Sequence, residues 1–166
     1  MDTIDKKILE ILSADASISG TEISHAVNLS VPAVNKRIQK LQKDGIIRAF
    51  TVLTDKKKVS KPVIAFILIV VKYNSSGNGV ESLLKYVRQD PDVLECYAVT
   101  GEYDYIVKVC AEDVEHLEDK LLHLKRQVGV VKSHTMLSLK EQKFQPTLLP
   151  DLPQREDQKA ERNTRK

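Results

Sequence analysis

Asn35, Lys36, Arg37, Gln39, Lys40 and Lys43 place a dense set of hydrogen-bond donors in one short stretch. Lysine ammonium groups can neutralise phosphates. Asn and Gln amides can pair bidentately with adenine, and Arg with guanine or a phosphate. This chemistry requires the donors to face outward from a rigid element. At about 100° per residue, a helix from Val31 to Asp44 supplies one. Val31, Val34, Ile38 and Leu41 fall on one side, and Pro32, Lys36, Gln39 and Lys43 fall opposite. Ala33 and Lys40 flank that outer face on one edge, and Asn35 lies on the other. Arg37 falls near the core border, where its stem can pack and its head can reach out. Pro32 is compatible with the first turn, where the backbone N–H has no intrahelical partner. Ser30 is the predicted N-cap, and with the first helical N–H groups it can hold a phosphate. Ser30, Pro32, Ala33, Asn35, Lys36, Arg37, Gln39, Lys40 and Lys43 together form a candidate surface for double-stranded DNA.

The surrounding elements are those needed to position such a helix. Ser19 and Glu22 form the S-x-x-E pattern of a capping box, with Ile18 and Ile23 placed as a hydrophobic staple. Asn28 stands between the two helices, where a left-handed residue is often required. Ile4, Ile8, Ile11 and Leu12 form one apolar stripe on an earlier helix from Asp2 to Ser13. Three short helices sharing these stripes make a trihelical core, and the second and third read as a helix-turn-helix. Asp44-Gly45 ends the third. Ile46–Arg48 and Phe50–Leu53 read as two strands of a β-wing. Lys56, Lys57, Lys58 and Lys61 follow, equally readable as phosphate contacts or as a solvated linker.

The rest of the chain changes character. Residues 1–62 carry 11 Lys/Arg against 7 Asp/Glu, whereas residues 63–139 carry 8 against 11. A basic module is thus joined to an acidic one. Strands are predicted at Val63–Lys72, Val93–Val99, Tyr105–Ala111 and Val130–Leu139. Helices are predicted at Val80–Gln89 and from the Asp113 cap to about Gln127, and Asn74–Gly79 reads as a loop. The order βαββαβ implies an antiparallel sheet with two helices on one face, a ferredoxin-like α+β arrangement. The other face keeps apolar residues and is expected to meet a partner subunit. In the loop Thr100–Asp104, Gly101 would let a ligand approach the backbone closely. Asp104 could receive an ammonium group, and free N–H groups a carboxylate. The plain alternative is an ordinary hairpin loop.

Several function classes find no support. There is no Gly-rich phosphate loop, and His25, His116, His123 and His134 are scattered. No catalytic residue, metal or cofactor is expected. The longest apolar run, Val63–Val71, is far shorter than the roughly 20 residues a membrane helix needs. Two cysteines, Cys96 and Cys110, fit a cytoplasmic protein better than a disulfide scaffold.

These residues resemble the Lrp/AsnC family of transcription regulators. Asp5-Lys6-Lys7-Ile8-Leu9 with Glu22-Ile23 and Leu29-Ser30 carries the first part of the match. Val34–Leu41 with Gly45-Ile46-Ile47 carries the second, and Cys96–Tyr105 ahead of Gly129-Val130 the third. One departure stands after the wing, where the family commonly has Leu-Gly and this chain has Val59-Ser60. The resemblance implies a winged helix-turn-helix at 1–54, a linker at 55–62 and a RAM/ACT-like ferredoxin-like domain at 63–144 for effector binding and oligomerisation. A flexible polar tail at 145–166 lies outside it. It implies sequence-specific DNA binding as a dimer or octamer. It also implies an amino-acid effector near Thr100, Gly101, Tyr103 and Asp104, at an interface between dimers. The alternative is an architectural protein that wraps DNA with little sequence preference.

Overall fold

The computed structural model describes residues 1–72 and 78–150. Most of the predicted Asn74–Gly79 loop, and the tail beyond residue 150, lie outside these. The chain forms two compact units: Met1–Val52 with the described residues from Phe144 onward, and Leu53–Lys143. Residues 55–62, read as a linker, therefore belong to the second unit.

The first unit contains α1 (Thr3–Ala14), α2 (Gly20–Val27) and α3 (Val31–Lys43). Each begins at a side-chain cap. Asp2 and Asp5 form a reciprocal box at α1, as do Ser19 and Glu22 at α2. The Ser30 hydroxyl accepts from Ala33 N–H at α3. Asn28 is left-handed, with φ 52°, and turns the chain between α2 and α3. Ile8, Ile23, Val34 and Leu41 form the buried core, and Ile18, Ile38 and Ile47 pack against it.

The β-wing differs from expectation. Residues 46–55 form no strand. Ile47 joins the helical core, while Phe50, Val52 and Leu53 are exposed. Two such short strands on their own make a ribbon of marginal stability.

The second unit is a sheet in the order β2-β3-β1-β4 with two helices. Its elements are β1 (Val63–Val71), α4 (Asn78–Gln89), β2 (Val93–Ala98), β3 (Tyr105–Ala111), α5 (Val114–Lys125) and β4 (Val130–Leu137). All pairings are antiparallel. Burial alternates along β1, with Ala65, Ile67, Ile69 and Val71 turned into the core. Leu83 of α4 and Leu117 and Leu124 of α5 meet them there. Fully burying a leucine such as Leu83 or Leu124 stabilises the fold by about 1.5–3 kcal/mol. Gly79 and Gly129 touch backbone to backbone: a Cβ on Gly129 would lie 2.5 Å from Gly79 Cα. Gly129 also has φ +90°, which side chains disfavour.

The sheet's other face carries partly buried and exposed apolar residues. Its register places Phe66 between Lys108 and Met136, and Leu68 between Ile106 and His134. Tyr97 stands opposite Ile106. Tyr97 and Met136 are substantially exposed. The result is an apolar centre beside the Glu95–Lys108 ion pair, 2.7 Å long.

An ionic knot closes one end of this unit. Lys120 Nζ lies 2.7 Å from Asp90 and 2.8 Å from Asp92, with all three side chains largely buried. Tyr86 donates its hydroxyl to Asp90. Lys61 pairs with Asp92 and Glu112. Burial pushes the Asp90 and Asp92 carboxyls up, but Lys120 leads the hydrogen bonds that outweigh it, leaving both below the ordinary range. For Lys120, burial acts downward, and the two carboxylates overcome it to leave the ammonium above its ordinary value.

Candidate nucleic-acid interface and ligand loop

The third helix presents most of its predicted donors to solvent. Ser30, Pro32, Asn35, Lys36, Gln39, Lys40 and Lys43 are exposed, while Ala33 is partly buried. A Cβ on Gly20 would lie 3.4 Å from Asn35 Oδ1, so Asn35 leans over the start of α2. Lys36, Gln39, Lys40 and Lys43 share the outer side of a helix whose inner side, Val34 and Leu41, is fixed in the core. The arrangement can meet a phosphate backbone while offering amides to base edges.

Arg37 departs from the predicted set. Its Nη1 donates to Asp2 Oδ2 at 2.7 Å and to Asp5 Oδ1 at 2.6 Å. The Asp5 side chain is only 10% exposed. Through Nη1 the guanidinium therefore ties the start of α1 to α3. Hydrogen bonds from Asp5 N–H and then from Arg37 hold the Asp2 carboxyl below its ordinary value. The Asp2 and Asp5 carboxylates together raise Arg37. Nothing in the local pattern around Asp5 announces this contact. The only clue was a carboxylate three places from the N-cap and a cation on the core border.

In the loop between β2 and β3, one predicted residue has a structural role as well. Asp104 Oδ2 accepts from Val71 N–H at 2.8 Å. Its own N–H donates to Ile69 O at 2.9 Å, and its carbonyl accepts from Val99 N–H at 2.9 Å. The β1–β4 register shifts between Val70 and Val71. Asp104 thus supplies an acceptor where the ladder is interrupted, and its Oδ2 holds the end of β1. Gly101, at φ +115°, has nothing within 4 Å of a hypothetical Cβ, so the loop crown is open. Thr100 is exposed and Tyr103 partly buried.

Charge at this loop comes from residues not singled out in the sequence. Glu102 forms an ion pair with Lys132 of β4. The Lys132 ammonium stands 5.2 Å from the centroid of the Tyr103 ring, and that ring lies 6.5 Å from His134. Lys132 draws the Glu102 carboxyl below its ordinary value, and Glu102 raises Lys132 in return. The loop therefore brings an anion, a cation and an aromatic ring together beside a glycine.

A capped helix-turn-helix with a basic outer face, followed by a separate βαββαβ unit, defines a helix-turn-helix DNA-binding regulator with a ligand-binding second domain. The model for winged helix-turn-helix DNA-binding matches residues 1–48, and that for the Lrp/AsnC ligand binding domain matches residues 64–148. The chain belongs to the Lrp/AsnC family of transcriptional regulators. It is 36% identical over 150 residues to the HTH-type transcriptional regulator FL11 of Pyrococcus furiosus, covering 90% of this chain and 96% of that protein. It is 31% identical over 162 residues to the glutamate uptake regulatory protein of Zymomonas mobilis, covering 98% and 96%. A solved transcriptional regulator of Neisseria meningitidis, in complex with L-Met, superposes with TM-score 0.85 at 30% identity, covering 89% and 96%. No helix among the described residues is long and apolar enough to cross a membrane.

Proposed function

We propose that the chain is an amino-acid-responsive regulator that binds duplex DNA with sequence preference as a self-associated assembly. The carrying observation is the Glu102–Lys132 pair beside the open Gly101 crown. An α-amino acid is a zwitterion. Its ammonium suits Glu102 and its carboxylate suits Lys132, so it can replace an existing ion pair with two complementary ones. The Neisseria relative's L-Met and the Zymomonas relative's named role in glutamate uptake agree with this ligand class. Calorimetry with the twenty amino acids tests it. Glu102→Gln and Lys132→Gln should each abolish the heat seen with the wild type while leaving thermal stability nearly unchanged. A wild type that binds no amino acid removes the reading.

DNA contact is assigned to the outer face of α3, with Lys36, Lys40 and Lys43 on phosphates and Gln39 and Asn35 toward base edges. Lys36→Ala should weaken binding to every duplex, and Gln39→Ala should also relax base preference. Self-association is assigned to the sheet face around Phe66, Leu68, Ile106 and Met136. Such an apolar centre is suited to a second copy of the same face. Phe66→Glu should yield monomers by light scattering.

A further inference from the structure

Residues 55–61 form a short hydrogen-bonded turn at the start of the second unit. Asp55 caps it: its side chain accepts from Lys57 N–H at 2.9 Å, and its carbonyl from Val59 N–H at 3.1 Å. Its end is a Schellman arrangement. Ser60 N–H donates to Lys57 O at 3.2 Å, Lys61 N–H donates to Lys56 O at 2.7 Å, and Ser60 is left-handed at φ 58°. Ser60 thus occupies the backbone position that the family's common Leu-Gly pair fills with glycine. Beyond it, Lys61 is anchored by Asp92 and Glu112.

This turn holds Lys56, Lys57 and Lys58 in succession. Lys57 and Lys58 are exposed and Lys56 partly so. Among the described residues no ion pair engages any of the three, in contrast to Lys61. The surrounding unit is otherwise acidic. The turn is also tethered to the recognition helix. Lys56 is 13 residues beyond Lys43. Even fully extended, that span reaches no more than about 45 Å. A helical turn of DNA is about 34 Å long. The tether therefore limits the distance between the turn and α3 to little more than one helical turn of duplex.

We infer that the Lys56-Lys57-Lys58 turn is a second DNA-contacting surface, carried by the ligand-binding unit, that grips phosphates flanking the site read by α3. It rests on the DNA-binding reading of α3. Ordering of the turn by Asp55 and Ser60 lowers the entropy lost when the lysines engage. The contact is electrostatic and carries no base preference of its own.

The test measures affinity of the full chain for a 60-bp mixed-sequence duplex by fluorescence anisotropy as KCl is raised. Each neutralised phosphate contributes about 0.9 to the slope of log K against log salt. The K56Q/K57Q/K58Q variant should lose about 2.7 from that slope per contacting copy. Its disadvantage against wild type should then shrink about 40-fold when salt is raised fourfold. Replacing the same three residues with Arg should keep the wild-type slope. A control removing equal charge elsewhere on the unit, K85Q/R88Q/K125Q, should leave the slope nearly unchanged. An unchanged slope in K56Q/K57Q/K58Q overturns this inference alone, as does an equal loss in the control. A wild type that binds no duplex overturns the inference together with the reading of α3.

Discussion

Replacing Asp104 with Ala should damage the fold before it affects any ligand. The substitution removes the acceptor of a 2.8 Å bond from Val71 N–H. Val71 is only 4% exposed and lies where the β1–β4 ladder shifts register, so no strand partner stands ready to replace Asp104. A part-buried backbone donor left without its charged acceptor costs about 1–3 kcal/mol. For a unit of this size each kcal/mol moves the midpoint by about 4–8 °C. Thermal unfolding followed by circular dichroism should therefore show Asp104→Ala melting about 5–20 °C below wild type. Asp104→Asn keeps an oxygen at the same position and should lose only a fraction of this. Calorimetry at low temperature, with both variants folded, should still detect amino-acid binding. Wild-type melting for Asp104→Ala would refute the structural role. A folded Asp104→Asn that binds no amino acid would return Asp104 to the ligand site.

Other perturbations probe different links. Arg37→Gln should lower the melting temperature of the first unit yet leave the salt slope of DNA binding unchanged, because its guanidinium meets Asp2 and Asp5; a slope lowered by about one would place it on a phosphate instead. The depressed Asp90 and Asp92 carboxyls contribute stability above their unfolded value near 3.8 that is lost as pH falls through their lower folded values, so urea midpoints should drop on acidification below about pH 4. The raised Lys120 acts in the opposite sense. Its contribution is complete below 10.5 and declines as pH rises through the higher folded value, and Lys120→Met should flatten both limbs of the profile. Gly129→Ala should cost about 2–5 kcal/mol in chemical unfolding, combining the clash with Gly79 Cα and a disfavoured backbone.

Features legible in the sequence were those decided within a few residues. The Ser19–Glu22 box, the Ser30 cap and the left-handed Asn28 depend on neighbours one to four places away, and each is where the pattern put it. The alternating burial of β1 and the one-sided stripes of α4 and α5 follow similarly from periodicity. Contacts that join distant segments were not legible. Arg37 finds Asp2 and Asp5 across 35 and 32 residues, and Asp104 finds Val71 across 33. Asp90 and Asp92, just past the predicted end of the Val80–Gln89 helix, likewise meet Lys120 about 30 residues on. The two strands expected in the wing are absent for a related reason. Its alternating residues satisfy a strand pattern, but a ribbon that short depends on a partner that local composition does not specify.

The position of Asp104 has a consequence for genetics. A screen for variants blind to the ligand would recover substitutions at Asp104 alongside any at Glu102 or Lys132. The first class would owe its phenotype to a frayed central strand, and would also lose abundance in the cell. Only the second would give a full complement of protein with an altered response. Immunoblotting every isolate before ranking it would separate the two classes, and would keep a backbone clasp from being recorded as a ligand contact.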